Sequence, residues 1–152
     1  FANATSSLAP TEIVRYEPAA PTLPNVEHML RWIRAMPRVD GVDKTDEAAL
    51  RASTVFAATD AAGYLVAFAA LALSTPYLLE LHVHEDWRRR GFGSRLVALV
   101  KDAAAAALPG GRLRLTVADG NSPAIRLYDK AGFKPVGEEG EEGYSIFEYS
   151  LA

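Results

Sequence analysis

The stretch HVHEDWRRRGFGSRL, residues 82–96, decides the fold, because it joins a predicted β-strand to a predicted long helix through a basic turn that contains two glycines. The strand covers Tyr77–His84, and apolar side chains at helical spacing predict the helix over Phe92–Leu108. Gly91 and Gly93 let the backbone turn tightly and present consecutive N–H groups to an anion, which the positive end of the helix also attracts. The stretch therefore predicts a phosphate-binding turn, with a solvated basic turn as the alternative.

The segments around this stretch predict one mixed α/β domain, a sheet of about seven strands with about four helices. The further strands are expected at 11–17, 54–59, 64–73, 113–117, 133–136 and 144–151, and the further helices after a capping Asn25, at Asp46–Ala52 and at Ser122–Ala131. A crossover helix makes the strands at 77–84 and 113–117 parallel, whereas the preceding hairpin is antiparallel. We expect residues 1–10 to be a flexible tail and residues 11–152 to form the single domain.

Composition limits the classes of function. The chain has 152 residues, of which 49% are hydrophobic, and this suffices for one packed core. Its net charge of -3 lacks the basic excess of nucleic-acid-binding domains. The longest apolar stretch, Tyr64–Leu73, is shorter than a membrane-spanning helix, which needs about 20 residues. Cysteine is absent, which excludes a cysteine acyl-enzyme. We expect a cytoplasmic protein that binds neither nucleic acid nor membrane.

Two other phosphate-binding motifs do not fit the turn. A Walker loop ends in Gly-Lys followed by Ser or Thr, whereas Gly93 is followed directly by Ser94. The dinucleotide-binding fingerprint of Rossmann domains needs a third small residue where this chain has Leu96. A phosphate group bound at this turn would therefore belong to neither of these two classes of ligand.

Two motifs carry a resemblance to a known family. Residues 82–96 resemble the main cofactor motif of the GNAT superfamily of acetyl-CoA-dependent N-acetyltransferases. The stretch NSPAIRLYDKAGF, residues 121–133, resembles the second motif of that superfamily, with its Asn, its Tyr seven positions later and its Gly-Phe end. The predicted order of helices and strands extends the likeness over residues 11–151. The resemblance implies acetyl-CoA as cosubstrate and an acyltransferase activity.

The resemblance also implies how the cosubstrate is held. In this superfamily the strand before the phosphate loop carries a bulge and splays from its parallel neighbour, so that the pantetheine arm pairs with exposed backbone. We expect Ser122, which precedes Pro123, to cap the following helix and to leave Asn121 free for the cofactor arm. The matched cofactor-binding residues are Leu81, His82, Val83, Arg88, Arg89, Arg90, Gly91, Phe92, Gly93, Ser94, Asn121 and Tyr128.

The resemblance also implies catalytic roles for particular residues. Tyr128 matches the general acid that protonates the departing thiolate, and its alternative is a tyrosine that only packs in the core. An amine must lose a proton before it attacks, and Glu80 is the first candidate for the base, with His82, His84 or a water relay as alternatives. Strand alternation places these three side chains on one face unless a bulge turns one away. Without cysteine, direct attack in a ternary complex is the simplest route.

The acceptor is less well specified by the sequence. We expect a primary amine on a small molecule or a peptide, and a homodimer is possible. Acidic side chains of the last hairpin either attract a cationic amine or form a solvated turn, and they are Glu138, Glu139, Glu141 and Glu142. Two other functions stay open: a noncatalytic acetyl-CoA-binding or sensing module of the same fold, and a metal site built on His82 and His84 with Glu80 or Glu85.

Overall fold

The computed structural model describes residues 12–19, 22–36, 45–137 and 142–152. Their strands are β1 (Ile13–Tyr16), β2 (Thr54–Thr59), β3 (Leu65–Ala72), β4 (Tyr77–Val83), β5 (Arg112–Ala118), β6 (Lys134–Pro135) and β7 (Tyr144–Ser150). Their helices are α1 (Val26–Ala35), α2 (Glu47–Arg51), α3 (Phe92–Ala107) and α4 (Ser122–Lys130), and a 3-10 turn covers Glu85–Trp87. The predicted mixed α/β fold is confirmed. Of the acidic residues in the last hairpin, Glu138, Glu139 and Glu141 lie outside the described residues.

One mixed sheet contains all seven strands in the order β1-β2-β3-β4-β5-β7-β6. Strands β4 and β5 are parallel, because α3 carries the chain from one end of the sheet back to the other between them. The other neighbouring strands are antiparallel, including the hairpin of β2 and β3. The predicted parallel pair and antiparallel N-terminal strands are therefore confirmed.

Helices cover the sheet on both faces and enclose two apolar clusters. On one face α3 and α4 pack against the sheet, with Leu96 and Val100 of α3 among the buried side chains. On the other face α1 and α2 pack through Leu30 and Leu50. Strand β3 is buried on both faces, which explains why its sequence is almost continuously apolar rather than alternating.

Strand β6 is shorter than predicted, and Asn25 has a different role from the predicted one. Strand β6 has two residues instead of four, although Val136 still donates a hydrogen bond to Ile146. Asn25 precedes α1 as predicted, but it does not cap that helix with its side chain. Its backbone is left-handed, with φ 63°, and its Nδ2 donates to the carbonyl of Gly63 over 3.3 Å. Asparagine tolerates this left-handed backbone conformation. Its side chain, instead of capping α1, connects the start of α1 to the β2–β3 turn.

Candidate active site

A gap opens in the sheet between β4 and β5. The two strands pair only at Tyr77 and Leu78, which face Arg114 and Leu115. The register between β3 and β4 shifts at this point, because Ala70 faces Glu80 while Leu71 faces Leu78, and Leu79 is left without a partner. Such a bulge bends and twists the strand that carries it. Residues 80–83 then pair with β3 alone, and residues 116–118 pair with β7 alone. The bulge and the splay that the resemblance implies are thus both present.

The turn over residues 88–94, which is predicted to bind phosphate (the phosphate turn), presents its backbone N–H groups without internal partners. Within the described part of the chain, no backbone carbonyl accepts a hydrogen bond from the N–H groups of residues 89–94. Arg89 and Gly91 have left-handed backbones, with φ 64° and φ 86°, and this conformation turns the chain into α3. Gly91 occupies the N-cap position and offers no side-chain cap, so the first turn of α3 remains open to an anion.

The side chains of the turn are fixed around this backbone. Arg88 donates from Nε to the carbonyl of Val83 over 3.2 Å, and the Arg90 guanidinium lies 4.8 Å from the centre of the Trp87 ring. Phe92 is buried and meets Trp87 edge to face. All three arginines of the turn are exposed, and the Ser94 side chain is exposed in the first turn of α3. The turn therefore combines free N–H groups with a local positive charge.

Gly93 serves packing as well as the turn. A Cβ atom at Gly93 would lie 3.2 Å from a terminal methyl carbon of Leu127, tighter than ordinary van der Waals contact. The absence of a side chain lets α3 approach α4 closely. Because α4 also carries Tyr128, this contact sets the position of Tyr128 relative to the phosphate turn.

Tyr128 is buried on the side of the sheet covered by α3 and α4. Its side chain is 7% exposed, and its ring packs edge to face with Phe133. No described residue forms a hydrogen bond with its hydroxyl. Among the described residues, the only side-chain polar atom that is both inaccessible to solvent and without a hydrogen-bond partner is Thr54 Oγ1. The Tyr128 oxygen therefore remains accessible. Burial, with a smaller contribution from the charge of Glu80, raises the pKa of the Tyr128 phenol well above its usual range, so the phenol keeps its proton.

The Glu80 carboxylate lies on the opposite face, under α1, and holds two hydrogen bonds. Its Oε1 is 2.7 Å from His82 Nε2, and its Oε2 accepts from Thr45 Oγ1 over 2.7 Å. The imidazole of His82 stacks on Phe68, with ring centres 5.0 Å apart and planes 12° from parallel. Thr45 was not predicted, because it lies 35 residues before Glu80 and the local sequence gives no sign of the contact.

His84 is on the same face as Glu80 and His82 but has a different role. Its ring centre lies 5.9 Å from that of Trp32, which also neighbours His82. Its Nδ1 accepts a hydrogen bond from the N–H of Asp86 over 3.1 Å and so caps the 3-10 turn. The predicted common face of the three side chains is confirmed. Across the described ranges, His, Asp and Glu side chains form no group of three or more that could hold a metal ion.

Asn121, rather than Ser122, caps α4, and the prediction that Ser122 is the cap was wrong. The Asn121 side chain accepts a hydrogen bond from the N–H of Ala124 over 3.3 Å. Pro123 lies at the second helical position, where its missing N–H costs nothing and the cap bonds to the next residue instead. Asn121 thus has a structural task, and its predicted contact with a cofactor arm no longer follows from its being free.

We expect Asn121→Ala to lower the free energy of unfolding by about 1 kcal/mol, because the N–H of Ala124 loses its cap. Chemical denaturation measures this change, and Asn121→Ser, which retains a capping oxygen, should stay close to wild type. If Asn121 also contacts the cofactor, both variants weaken acetyl-CoA binding, whereas a residue that only caps would leave the affinity unchanged in the Ser variant.

No helix of the described segments has the length and apolar character required to cross a membrane.

Leu81 and Val83 of β4 pack against the cluster under α3, while Glu80 and His82 point to the face under α1. The gap in the sheet therefore has a proton donor on one face and a pair of proton-accepting groups on the other.

Comparison with known proteins agrees with this architecture. A family model described as the acetyltransferase (GNAT) family matches residues 23–133. An acetyltransferase of the GNAT family from Staphylococcus aureus has a TM-score of 0.72 at 14% identity, with 94% of this chain and 100% of that chain covered. Arabidopsis thaliana NAA60 in complex with a bisubstrate analogue has a TM-score of 0.68 at 21% identity, over 92% and 98% of the two chains.

A third structure, Salmonella typhimurium yncA with its cofactor acetyl-CoA, has a TM-score of 0.67 at 15% identity, over 93% of this chain and 94% of that chain. No curated protein matches the chain. The structural likenesses show the fold, and the family model covers most of the sequence. The chain belongs to the GNAT family of acetyltransferases.

Proposed function

We propose that this enzyme acetylates a primary amine, on a small molecule or a peptide, by direct attack within a ternary complex. The observation that carries the proposal is the gap between β4 and β5, with Tyr128 on one side and Glu80 on the other. The charge of Glu80 acts on the Tyr128 phenol, so the two groups share one electrostatic environment. A proton donor and a proton acceptor on opposite sides of one opening are what acyl transfer to an amine requires.

The residues of the phosphate turn fit the pyrophosphate of acetyl-CoA. The N–H groups of residues 89–94 have no carbonyl partner within the described chain, and the start of a 16-residue helix adds its positive end. Arg88, Arg89 and Arg90 bring positive charge to the same place. We assign these residues, with Gly91, Phe92, Gly93 and Ser94, to the pyrophosphate.

The open edge of β4 fits an amide-containing arm. Residues 80–83 have no strand partner on the side of β5, and a strand edge of this kind can pair with an extended chain. We assign the backbone of Leu81, His82 and Val83 to the pantetheine arm. Asn121, at the end of the loop that follows β5, is a further candidate for this contact.

Acetyl-CoA, when bound, supplies an acetyl thioester whose carbonyl carbon accepts the amine. The pair of Glu80 and His82 takes the proton that an alkylammonium must lose, because only the neutral amine has a free electron pair. Tyr128 then donates its phenolic proton to the sulfur that leaves as the new N–C bond replaces the C–S bond. Water takes the extra proton that the attacking nitrogen then carries and returns it to the phenolate, so the amide keeps one N–H and one proton is released overall.

The chain has no cysteine to carry an acyl group, which leaves direct attack as the simplest route. We expect initial rates at several fixed concentrations of acetyl-CoA to give intersecting double-reciprocal lines with the amine varied. The assay measures release of the CoA thiol with a panel of diamines, aminoglycosides and peptides, and mass spectrometry confirms the acetylated nitrogen. Parallel lines, or thiol release without an acetylated amine, would contradict the proposal.

A further inference from the structure

Glu80 is held in a way that favours positioning over proton transfer. Each of its carboxylate oxygens already accepts a hydrogen bond, one from Thr45 and one from His82. The side chains of Glu80 and His82 are only 15% and 12% exposed, and such shielding from water strengthens hydrogen bonds between them. An amine that approaches the pair from solvent meets a carboxylate whose position is fixed from two sides.

The imidazole of His82 is fixed as firmly. Phe68 stacks on one face of the ring and Trp32 lies against it at a centre-to-centre distance of 6.5 Å. Because Nε2 donates to the Glu80 carboxylate, Nδ1 is the nitrogen without a proton in the neutral ring. No described residue forms a hydrogen bond with Nδ1, and Nδ1 is not among the polar atoms that are inaccessible to solvent and lack a partner. This nitrogen is therefore open to a ligand.

We propose that His82 Nδ1 accepts the proton of the amine, and that Glu80 is a positioning residue which holds His82 in its Nε2–H tautomer, anchored in turn by Thr45. This assignment rests on the proposed transfer to an amine. The ammonium N–H bond breaks, its electron pair stays on nitrogen, and the proton forms a bond to Nδ1. The resulting imidazolium keeps its Nε2–H bond to the carboxylate and later releases the added proton to water.

The groups packed around His82 are compatible with this role. Helix α1 contributes Trp32 and strand β3 contributes Phe68, and both are uncharged. Strand β4 and the residue after it contribute Glu80 and His84, and across the gap the charge of Glu80 reaches Tyr128. Among the described residues, no Lys or Arg side chain pairs with Glu80, and no carboxylate other than that of Glu80 pairs with His82. The carboxylate therefore stabilises the imidazolium, whose charge appears as the proton is transferred.

The pH dependence of the rate distinguishes the two candidate bases. We expect His82→Ala to lower kcat about 100-fold, within the range of general base catalysis, and to abolish the acidic limb of the kcat/KM profile. Added imidazole should restore the rate of His82→Ala at least tenfold. We expect Glu80→Gln to retain the acidic limb, because the imidazole of His82 is still present in this variant. If Glu80→Gln abolishes the limb while His82→Ala keeps it, Glu80 is the base and the inference is wrong.

Matched variants control for structural damage. His82→Gln replaces the ring with a polar chain in case His82→Ala unfolds, and it should show the same loss of the acidic limb. Thr45→Val removes the hydroxyl that bonds to Glu80 but keeps a side chain of nearly the same shape. This variant should lower kcat only a few-fold and leave the acidic limb unchanged. His28→Ala, on α1, should match wild type with and without imidazole, since no hydrogen bond or ring contact joins His28 to the pair. A wild-type enzyme that acetylates no amine would instead overturn the proposed function.

Nuclear magnetic resonance of the protein without acetyl-CoA tests the tautomer independently of activity. The chain has three histidines, so 15N-labelled imidazoles give few signals, and His82→Gln identifies those of His82. We expect the Nε2–H tautomer in wild type and a mixture of tautomers in Glu80→Ala. A dominant Nδ1–H tautomer in wild type would overturn the inference.

Discussion

Tyr128→Phe is expected to lower kcat by about 10² to 10⁴ while the affinity for acetyl-CoA changes only a few-fold. The variant removes the proton that we propose Tyr128 gives to the leaving sulfur, and it keeps the ring that packs on Phe133. Stability should hardly change, because the hydroxyl has no partner among the described residues and its loss strands no other group. Steady-state kinetics measures kcat, and calorimetric titration measures the affinity.

The pH profile of the wild-type enzyme provides a second test of Tyr128. Burial and the charge of Glu80 disfavour the phenolate, so the raised pKa keeps the phenol protonated beyond its ordinary value of about 10. Loss of the Tyr128 proton therefore gives kcat no alkaline limb below that value. An unchanged kcat in Tyr128→Phe would remove Tyr128 from the mechanism, and an alkaline limb that disappears in Tyr128→Phe would contradict its raised pKa.

The second large effect is expected at the phosphate turn, where Gly91→Val should weaken acetyl-CoA binding at least tenfold. Gly91 has φ 86°, a conformation that a β-branched residue adopts only with strain. We expect this strain to cost about 1–3 kcal/mol or to displace the N–H groups that surround the anion. No protein atom outside the neighbouring residues lies within 4 Å of a Cβ atom placed at Gly91. The expected loss of affinity therefore comes from the strained backbone and from the close approach of the ligand, not from a clash within the protein.

Gly63 supplies a matched control for this variant. It has φ 88° and equally open surroundings, but it lies in the β2–β3 turn. Gly63→Val should therefore show a similar loss of stability in chemical denaturation and wild-type affinity for acetyl-CoA in calorimetric titration. If Gly91→Val binds acetyl-CoA like wild type, or if Gly63→Val loses the same affinity, the phosphate assignment is wrong.

The sequence predicted the parts of the fold that depend on local signals. Each of these signals lies within a few residues: the apolar spacing of the helix after Gly91, Pro123 at the start of α4, and the turn before Tyr64. The order of elements and the parallel pair of strands could therefore be predicted from them. The turn between β4 and α3, to which we assign the pyrophosphate, followed for the same reason, because its glycines and the start of α3 are adjacent in sequence.

The remaining features depend on contacts between distant segments. Leu79 is an ordinary strand residue, and the bulge that it forms appears only when β3 sets the register on one side. Thr45 reaches Glu80 from a segment 35 residues away. Asn121 and Ser122 are both good capping residues, and local sequence does not distinguish them; the helix begins at Ser122, so Asn121 is its cap.

The gap between β4 and β5 leaves two strand edges in the middle of a sheet that has helices packed on both faces. Recognition of the donor can then rely largely on main-chain groups, which nearly every amino acid provides. Substitutions along this edge would leave donor binding largely intact, while the face under α1 could change its side chains to suit a different amine. The separation allows acceptor preference to diverge in evolution without loss of the shared cosubstrate.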